Sequence, residues 1–212
     1  MFLTQFLTVA IVHLFAVMSP GPDFAVVTKN SLVHSRKTGI YTSLGIALGI
    51  LVHVAYSLLG IGLIISQSVV LFSIIKYLGA GYLIYIGYLS LRANPQSSLE
   101  TASTSMLPEK KDISNWSAVK TGFLTNVLNQ KATMFFLALF TQIIDPVTPK
   151  LIQLFFGLET MVITFVWFAF LSTVFSNSLI KSKIAKVQHH IERVTGIVLI
   201  VLGIKVALAS QK

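Results

Sequence analysis

Apolar residues run through this chain in long continuous stretches and not in alternation. Six stand out: about Phe2 to Val27, Ser43 to Gln67, Val69 to Leu91, about Thr121 to Ile144, Leu151 to Ile180, and Ile191 to Leu208, the shortest. A bilayer core about 30 Å thick takes roughly 20 residues of helix. Lipid offers no partner to backbone N–H and C=O groups, so a spanning segment is a helix or a strand of a closed barrel. Continuous runs favour helices over barrel strands. The pattern therefore predicts an all-α integral membrane protein with six transmembrane helices. Met1–Met18 lacks a basic leading region and a small-residue cleavage site, and reads as part of the first span.

Composition sharpens this reading. Of 212 residues, 54% are hydrophobic and only 11% are charged, and the mean hydropathy is +0.80. Ordinary globular domains carry roughly 25% charged residues, so a soluble enzyme, a disordered chain and a fibrous repeat are disfavoured. The net charge of +9 could mark a nucleic-acid binder. Its distribution instead follows the connections between stretches. Lys29, Arg36 and Lys37 lie in the first, Arg92, Lys110, Lys111 and Lys120 in the third, and Lys181, Lys183, Lys186 and Arg193 in the fifth. The second and fourth hold only Lys76 and Lys150. The positive-inside rule then places the odd connections in the cytoplasm and both termini outside.

The longest polar stretch, 93–117, reads as a cytoplasmic linker. It divides the chain into a first three-helix unit, 1–92, and a second, 118–212. Three spans per half mean that the halves insert in opposite orientations, the layout of two inverted three-helix repeats found in many secondary transporters. Six unrelated helices are the alternative.

Two stretches carry irregularities. Ser19-Pro20-Gly21-Pro22-Asp23 interrupts the first. Each proline removes a donor and clashes with the preceding turn, and Asp23 is suited to cap a new helix starting at Phe24. Within a membrane such a break is tolerated where protein or water covers the freed groups. The new helix would offer free N–H groups and a positive dipole to an anion. A plain kink or a helix end at the inner surface is the other reading. In the fourth stretch, Asn126 and Asn129 share a helical face, where polar side chains bond to neighbours or substrate and not to lipid. Lys131 is an ionisable group inside an apolar span and so a functional candidate, unless it snorkels to the surface.

Other motifs read as architecture. Gly45 and Gly49 make a small-residue face that admits a close helix neighbour, and Gly79, Gly81 and Gly87 offer another. Tyr77, Tyr82, Tyr85, Tyr88 and Trp116 suit membrane interfaces. His189-His190 is a weak metal signal in a basic connection, so no metal is expected. The chain has no cysteine, which excludes disulfides and thiolate metal sites, and no phosphate-cradling glycine loop, which disfavours ATP-driven transport. No cofactor is expected.

The stretches Met18-Ser-Pro-Gly-Pro-Asp-Phe24, Ser35-Arg-Lys-Thr-Gly39 and Leu44-Gly-Ile-Ala-Leu-Gly49 resemble the LysE/RhtB family of amino-acid exporters. Gly79-Ala-Gly-Tyr-Leu83, Gly87, Leu91-Arg92 and Gly122-Phe-Leu-Thr-Asn-Val-Leu-Asn129 continue the resemblance, which covers about Phe6 to Gly203. The threonine and homoserine exporters look most similar, with Phe6-Leu-Thr-Val-Ala10 and His13 adding to that likeness. The resemblance implies a six-span protein of the bacterial inner membrane that exports amino acids in exchange for protons. The family usually has Asn-Pro-Lys where this chain has Asn129-Gln130-Lys131. Gln130 restores an N–H donor and is expected to relax the local kink.

An amino-acid substrate is a zwitterion and needs both signs of charge. Asp23 is the candidate for its ammonium, and Lys131 with Asn129 for its carboxylate, with Asn126 on the same face. Asp23 has two further readings: a structural N-cap, or a direct partner of Lys131 in the empty site. Proton coupling needs a group that changes charge, for which Asp23, Glu159 and His13 are candidates. An interfacial Glu159 and a packing His13 are the alternatives.

Expected partners are a small amino acid, protons and membrane lipid, with no nucleic acid; a homo-oligomer is left open. Substrate alternatives are leucine and basic amino acids. An intramembrane enzyme would need clustered acids or metal ligands, whereas Asp23, Asp145 and Glu159 are scattered. An accessory subunit would not need a broken helix with ionisable groups in both halves.

Overall fold

The computed structural model describes residues 2–67, 69–92, 113–143, 148–175 and 181–208. These residues form eight α-helices and no strands. In order they are α1 (Phe2–Met18), α2 (Pro22–Val33), α3 (Arg36–Gln67), α4 (Val69–Arg92), α5 (Asn115–Val127), α6 (Gln130–Ile143), α7 (Lys150–Phe175) and α8 (Lys181–Leu208). A short broken pair followed by two long helices thus occurs twice. Most of the expected linker, 93–112, lies outside the described residues, as does Asp145. The Arg36–Gly60 part of α3 and all of α7 are long and apolar enough to cross a bilayer, and α1 with α2 is a third candidate if the bent pair counts as one span.

Polar and apolar faces are arranged for an apolar solvent. On α7, Leu151, Leu154, Leu158, Val162, Val166 and Phe170 face outward, one turn apart. On α8, Val194, Ile197, Val201 and Ile204 do the same. The polar side chains point in: His13, Thr42, Ser57, Asn126, Thr164 and Thr195 are at most 2% exposed. An apolar skin this extensive marks a lipid-facing surface, and inward hydroxyls and amides tie helices together.

Helix starts and ends have local causes. Pro20 cannot donate and Gly21 is fully extended (φ −171°, ψ −168°), so α1 stops and α2 starts with Pro22 at its first position, a favoured place for proline. The two pieces meet at 59°. Gly21 is the N-cap residue and supplies no side-chain bond. Asp23 sits inside the first turn, so it does not cap a helix beginning at Phe24, and its carboxylate is free for another task. α5 opens with Ser114, whose hydroxyl accepts from Ser117 N at 3.1 Å. α8 begins at Lys181, well ahead of its apolar stretch, so Lys183, Lys186, His190 and Arg193 are helical and not in an open connection.

Close packing positions the second break. α3 packs most extensively on α5 and α7, and α4 on α8. A Cβ on Gly45 would collide with the Val119 carbonyl, and one on Gly122 with the Thr42 carbonyl, so the α3 and α5 backbones approach as the small-residue face predicts. Gly87 and Gly196 make a matching contact between α4 and α8. Gly81 faces open space and takes no part. Two apolar clusters form the interior: one includes Val12, Ile50, Leu83, Phe136 and Leu199, the other Phe24, Val27, Ile46, Phe168 and Phe175.

Candidate functional site

Between those clusters lies a small, partly open cavity of about 50 Å³. Asp23, Lys131, Ser19 and Asn129 line its polar side, and Phe135, Phe136 and Phe168 are prominent on its apolar side. The two helix breaks meet here.

Asp23 Oδ2 accepts from Asn126 Nδ2 at 2.9 Å and from Asn129 Nδ2 at 3.1 Å. The other oxygen, Oδ1, is closed to solvent and has no hydrogen-bond partner. A buried acceptor left unmade costs about 1–3 kcal/mol, more when charged, so a donor entering the cavity gains that back. The two amides lie on either side of the second break, and each spends its donor group on a carboxylate from the first half of the chain.

Lys131 does not snorkel. Its Nζ donates to Ser19 O at 3.0 Å, Ser19 Oγ at 2.9 Å and Pro20 O at 3.4 Å. Ser19 and Pro20 lie where α1 has ended, so the ammonium satisfies carbonyls that no helix can. Its aliphatic stem passes over Gly21. Asp23 and Lys131 act on each other electrostatically but form no direct ion pair. The direct pairing considered for an empty site is therefore absent. The two charges stand apart, each held by neutral groups of the opposite break.

The second break persists despite Gln130. Asn129 makes it: its Oδ1 accepts from Lys131 N at 3.0 Å, an N-cap bond, while its carbonyl accepts from Thr133 N at 3.0 Å. Gln130 then occupies the first position of α6, where its N–H is an orphan with or without proline. Asn126 is fixed from behind by α3. Its carbonyl accepts from His53 Nε2 at 2.9 Å, which defines the proton on Nε2; Nδ1 then accepts from Tyr56 OH at 2.7 Å. His53 is fully buried and stacked on Phe136. Gly49, one turn earlier on α3, leaves the space that the Asn126 side chain fills.

The candidate residues therefore separate. Pro20, Gly21, Pro22, Asp23, Asn126, Asn129 and Lys131 converge. His13 joins the cavity wall, with Nε2 2.8 Å from Thr164 Oγ1. Glu159 does not: it lies on α7 away from the cavity lining, and both its oxygens are closed to solvent without a hydrogen bond. Among described residues no cluster of His, Cys, Asp or Glu could hold a metal. The sequence marks Ser19 as part of the first break and His53 as a membrane histidine without giving either a site role, and Glu192 is passed over. The last is 1% exposed and acts electrostatically on Lys131. Its spacing with Thr195 and Leu199, both fully buried, is the helical signal that would have revealed it.

Comparison with known proteins gives the family. The LysE type translocator model matches residues 14–210. The chain is 34% identical to a membrane protein of Bacillus subtilis, over 91% of this chain and 93% of that protein. It is 34% identical to the threonine efflux protein of Escherichia coli K12, over 82% and 83% of the two chains. It is likewise 34% identical to the leucine efflux protein of Salmonella choleraesuis, over 82% of each. No solved structure matches. The matched region runs through both helix breaks and the cavity between them: the chain belongs to the LysE type translocator family, and it is a transporter rather than an enzyme.

Proposed function

We propose that this protein exports small neutral amino acids, threonine or homoserine among them, from the cytoplasm in exchange for protons. The observation that carries the reading is the pair of separated charges in one cavity, Asp23 with an unused Oδ1 and Lys131 on movable side-chain contacts to Ser19 and Pro20. A zwitterion matches that pair. Its ammonium bonds Asp23 Oδ1, and its carboxylate draws Lys131 away from the Ser19 and Pro20 carbonyls. Asp23 N–H and Phe24 N–H, in the first turn of α2, have no helical acceptor and add donors there. The side chain of the substrate meets Phe135, Phe136 and Phe168.

Leucine is the second reading. A relative named a leucine efflux protein is as similar as the one named for threonine, and an aromatic wall accepts an isobutyl group.

In this reading the chain makes six spans in the bacterial inner membrane with both termini outside, and the repeated order of a broken pair and two long helices is an inverted repeat. Its units are 1–92 and 118–212, joined by a cytoplasmic linker, 93–117, whose last three residues already belong to α5. The 24, 26 and 28 residues of α4, α7 and α8 reach about 36–42 Å at 1.5 Å per residue, enough to cross. Asp23 and His13 lie at the cavity and are the coupling groups. Glu159 lies away from it and is not needed for coupling.

Efflux from proteoliposomes loaded with threonine, homoserine, leucine or lysine tests this. Wild type releases threonine or homoserine faster than lysine, and Asp23→Asn inserts normally but releases none. Export by Asp23→Asn at the wild-type rate would falsify the assignment. Collapse of the pH gradient stops uphill export; undiminished uphill export would remove proton antiport.

A further inference from the structure

Glu192 lies outside the cavity lining, yet it is buried and its charge acts on Lys131. On α8 it precedes by one turn Thr195, whose hydroxyl donates to Phe15 O at 3.1 Å. α8 runs antiparallel to α4: Gly203 meets Ala80 and Ile84, while Gly196 meets Gly87 and Leu91. That register sets Glu192 level with the end of α4 that carries Ser90. Ser90 Oγ lies 3.3 Å from Ser19 Oγ, and Ser19 Oγ accepts from Lys131 Nζ at 2.9 Å. The charge of Glu192 reaches Lys131, as does that of Asp23. A charged carboxylate is costly in an interior without a compensating cation, and both acids act on Lys131.

We propose that Glu192 is the resting counter-charge of Lys131 and sets how tightly the site holds a substrate carboxylate. It is a positioning residue: it touches Lys131 electrostatically and the substrate only through Lys131. With the site empty, Glu192 and the Ser19 and Pro20 carbonyls keep the ammonium on the α1 side. A substrate carboxylate competes with Glu192 for that ammonium, so binding stays weak enough for release. Without Glu192 the substrate carboxylate meets one negative charge fewer in competing for Lys131. The inference rests on the export reading above for its substrate, but not for the link between Glu192 and Lys131.

The test uses the full-length protein in lipid nanodiscs and proteoliposomes, with threonine and with threoninamide, which lacks the carboxylate. Glu192→Gln tightens threonine binding roughly tenfold, the order expected of one unit charge acting across an interior of intermediate dielectric. It leaves threoninamide affinity unchanged and lowers the maximal efflux rate. Glu192→Asp keeps the charge but draws it back, so its threonine affinity falls between those of wild type and Glu192→Gln. Unchanged threonine affinity in Glu192→Gln, or equal changes for both ligands, overturns the proposal. If Glu192→Gln does not insert, Glu192→Asp alone decides: its shorter carboxylate tightens threonine and not threoninamide, and equal affinities overturn the proposal. If wild type binds no amino acid, the export reading fails instead. A thermal-unfolding cycle of Glu192→Gln, Lys131→Gln and the double variant then decides, non-additive losses supporting the link and additive ones overturning it.

Discussion

Two glycines on one helix isolate the role of α3 in holding the site. A Cβ added at Gly49 would lie 2.6 Å from Asn126 Oδ1, 2.9 Å from its Cβ and 3.1 Å from its Cγ. The amide tip could rotate away from the first contact. The Cβ could not, because it is fixed to the backbone of α5. Gly49→Ala must therefore part α3 from α5 or twist the Asn126 side chain out of its well. Overpacking of this kind costs about 1–3 kcal/mol. Either response stretches the 2.9 Å bond from Asn126 to Asp23, and a hydrogen bond to a charged group contributes about 1.5–3 kcal/mol. At about 1.4 kcal/mol per factor of ten, efflux falls roughly 10- to 100-fold. Gly60, on the same helix, has nothing within 4 Å of its virtual Cβ. Gly60→Ala there gains about 0.5–1 kcal/mol from backbone entropy and leaves efflux intact. Both variants are purified, and threonine efflux from proteoliposomes is measured beside thermal unfolding. Wild-type efflux in Gly49→Ala, or equal losses in both variants, refutes the argument that α3 presents Asn126 to Asp23.

Further outcomes follow from the same contacts. Gln130→Pro keeps efflux within about twofold, because proline is accepted at the first helical position; a collapse in a transport assay would mean that the Gln130 N–H has a task. Asn129→Ala removes both a cap, about 1 kcal/mol, and an amide on Asp23, so unfolding temperature and efflux fall together, whereas Asn129→Ser recovers stability and not efflux. Glu159→Gln transports at the wild-type rate with its pH-gradient dependence unchanged; loss of coupling would return Glu159 to the proton path.

The sequence pattern predicted the first break well because proline and glycine act through their own backbones, whatever surrounds them. Pro20, Gly21 and Pro22 break the helix where expected. Asp23 shows the limit of such reading. Its position after the prolines suited a cap, but the helix begins two residues earlier, at Pro22, and the partners of its carboxylate come from residues more than a hundred positions away. The second break was attributed to the proline that Gln130 replaces, although Asn129 makes it by an N-cap visible in the sequence. Glu159 drew attention by standing in an apolar run, while Glu192 was passed over at the edge of one. Hydropathy along the chain ranks these two by their neighbours in sequence. The helical register of Glu192, Thr195 and Leu199 ranks them by the face they present, and that face is buried.

The exchange of partners between the breaks bears on how such a site can move. Asp23, from the first break, is held by amides flanking the second; Lys131, from the second, is held by carbonyls of the first. Neither charged group takes its hydrogen bonds from its own half, although Glu192 of the second half acts on Lys131 through its charge. Any motion that slides one half past the other must release both sets of bonds together, leaving a carboxylate and an ammonium unsatisfied in an apolar interior. A bound zwitterion supplies one donor and one acceptor to the two groups thus released. The empty protein then faces a higher barrier to rearrangement than the loaded one, which is the condition for moving substrate without leaking it. Crosslinking supplies the test: cysteines placed on α2 and α6 of this otherwise cysteine-free chain should change their accessibility on either face with threonine bound, and hold still without it. Equal accessibility changes in loaded and empty protein would show that the charges are not what locks the two breaks together.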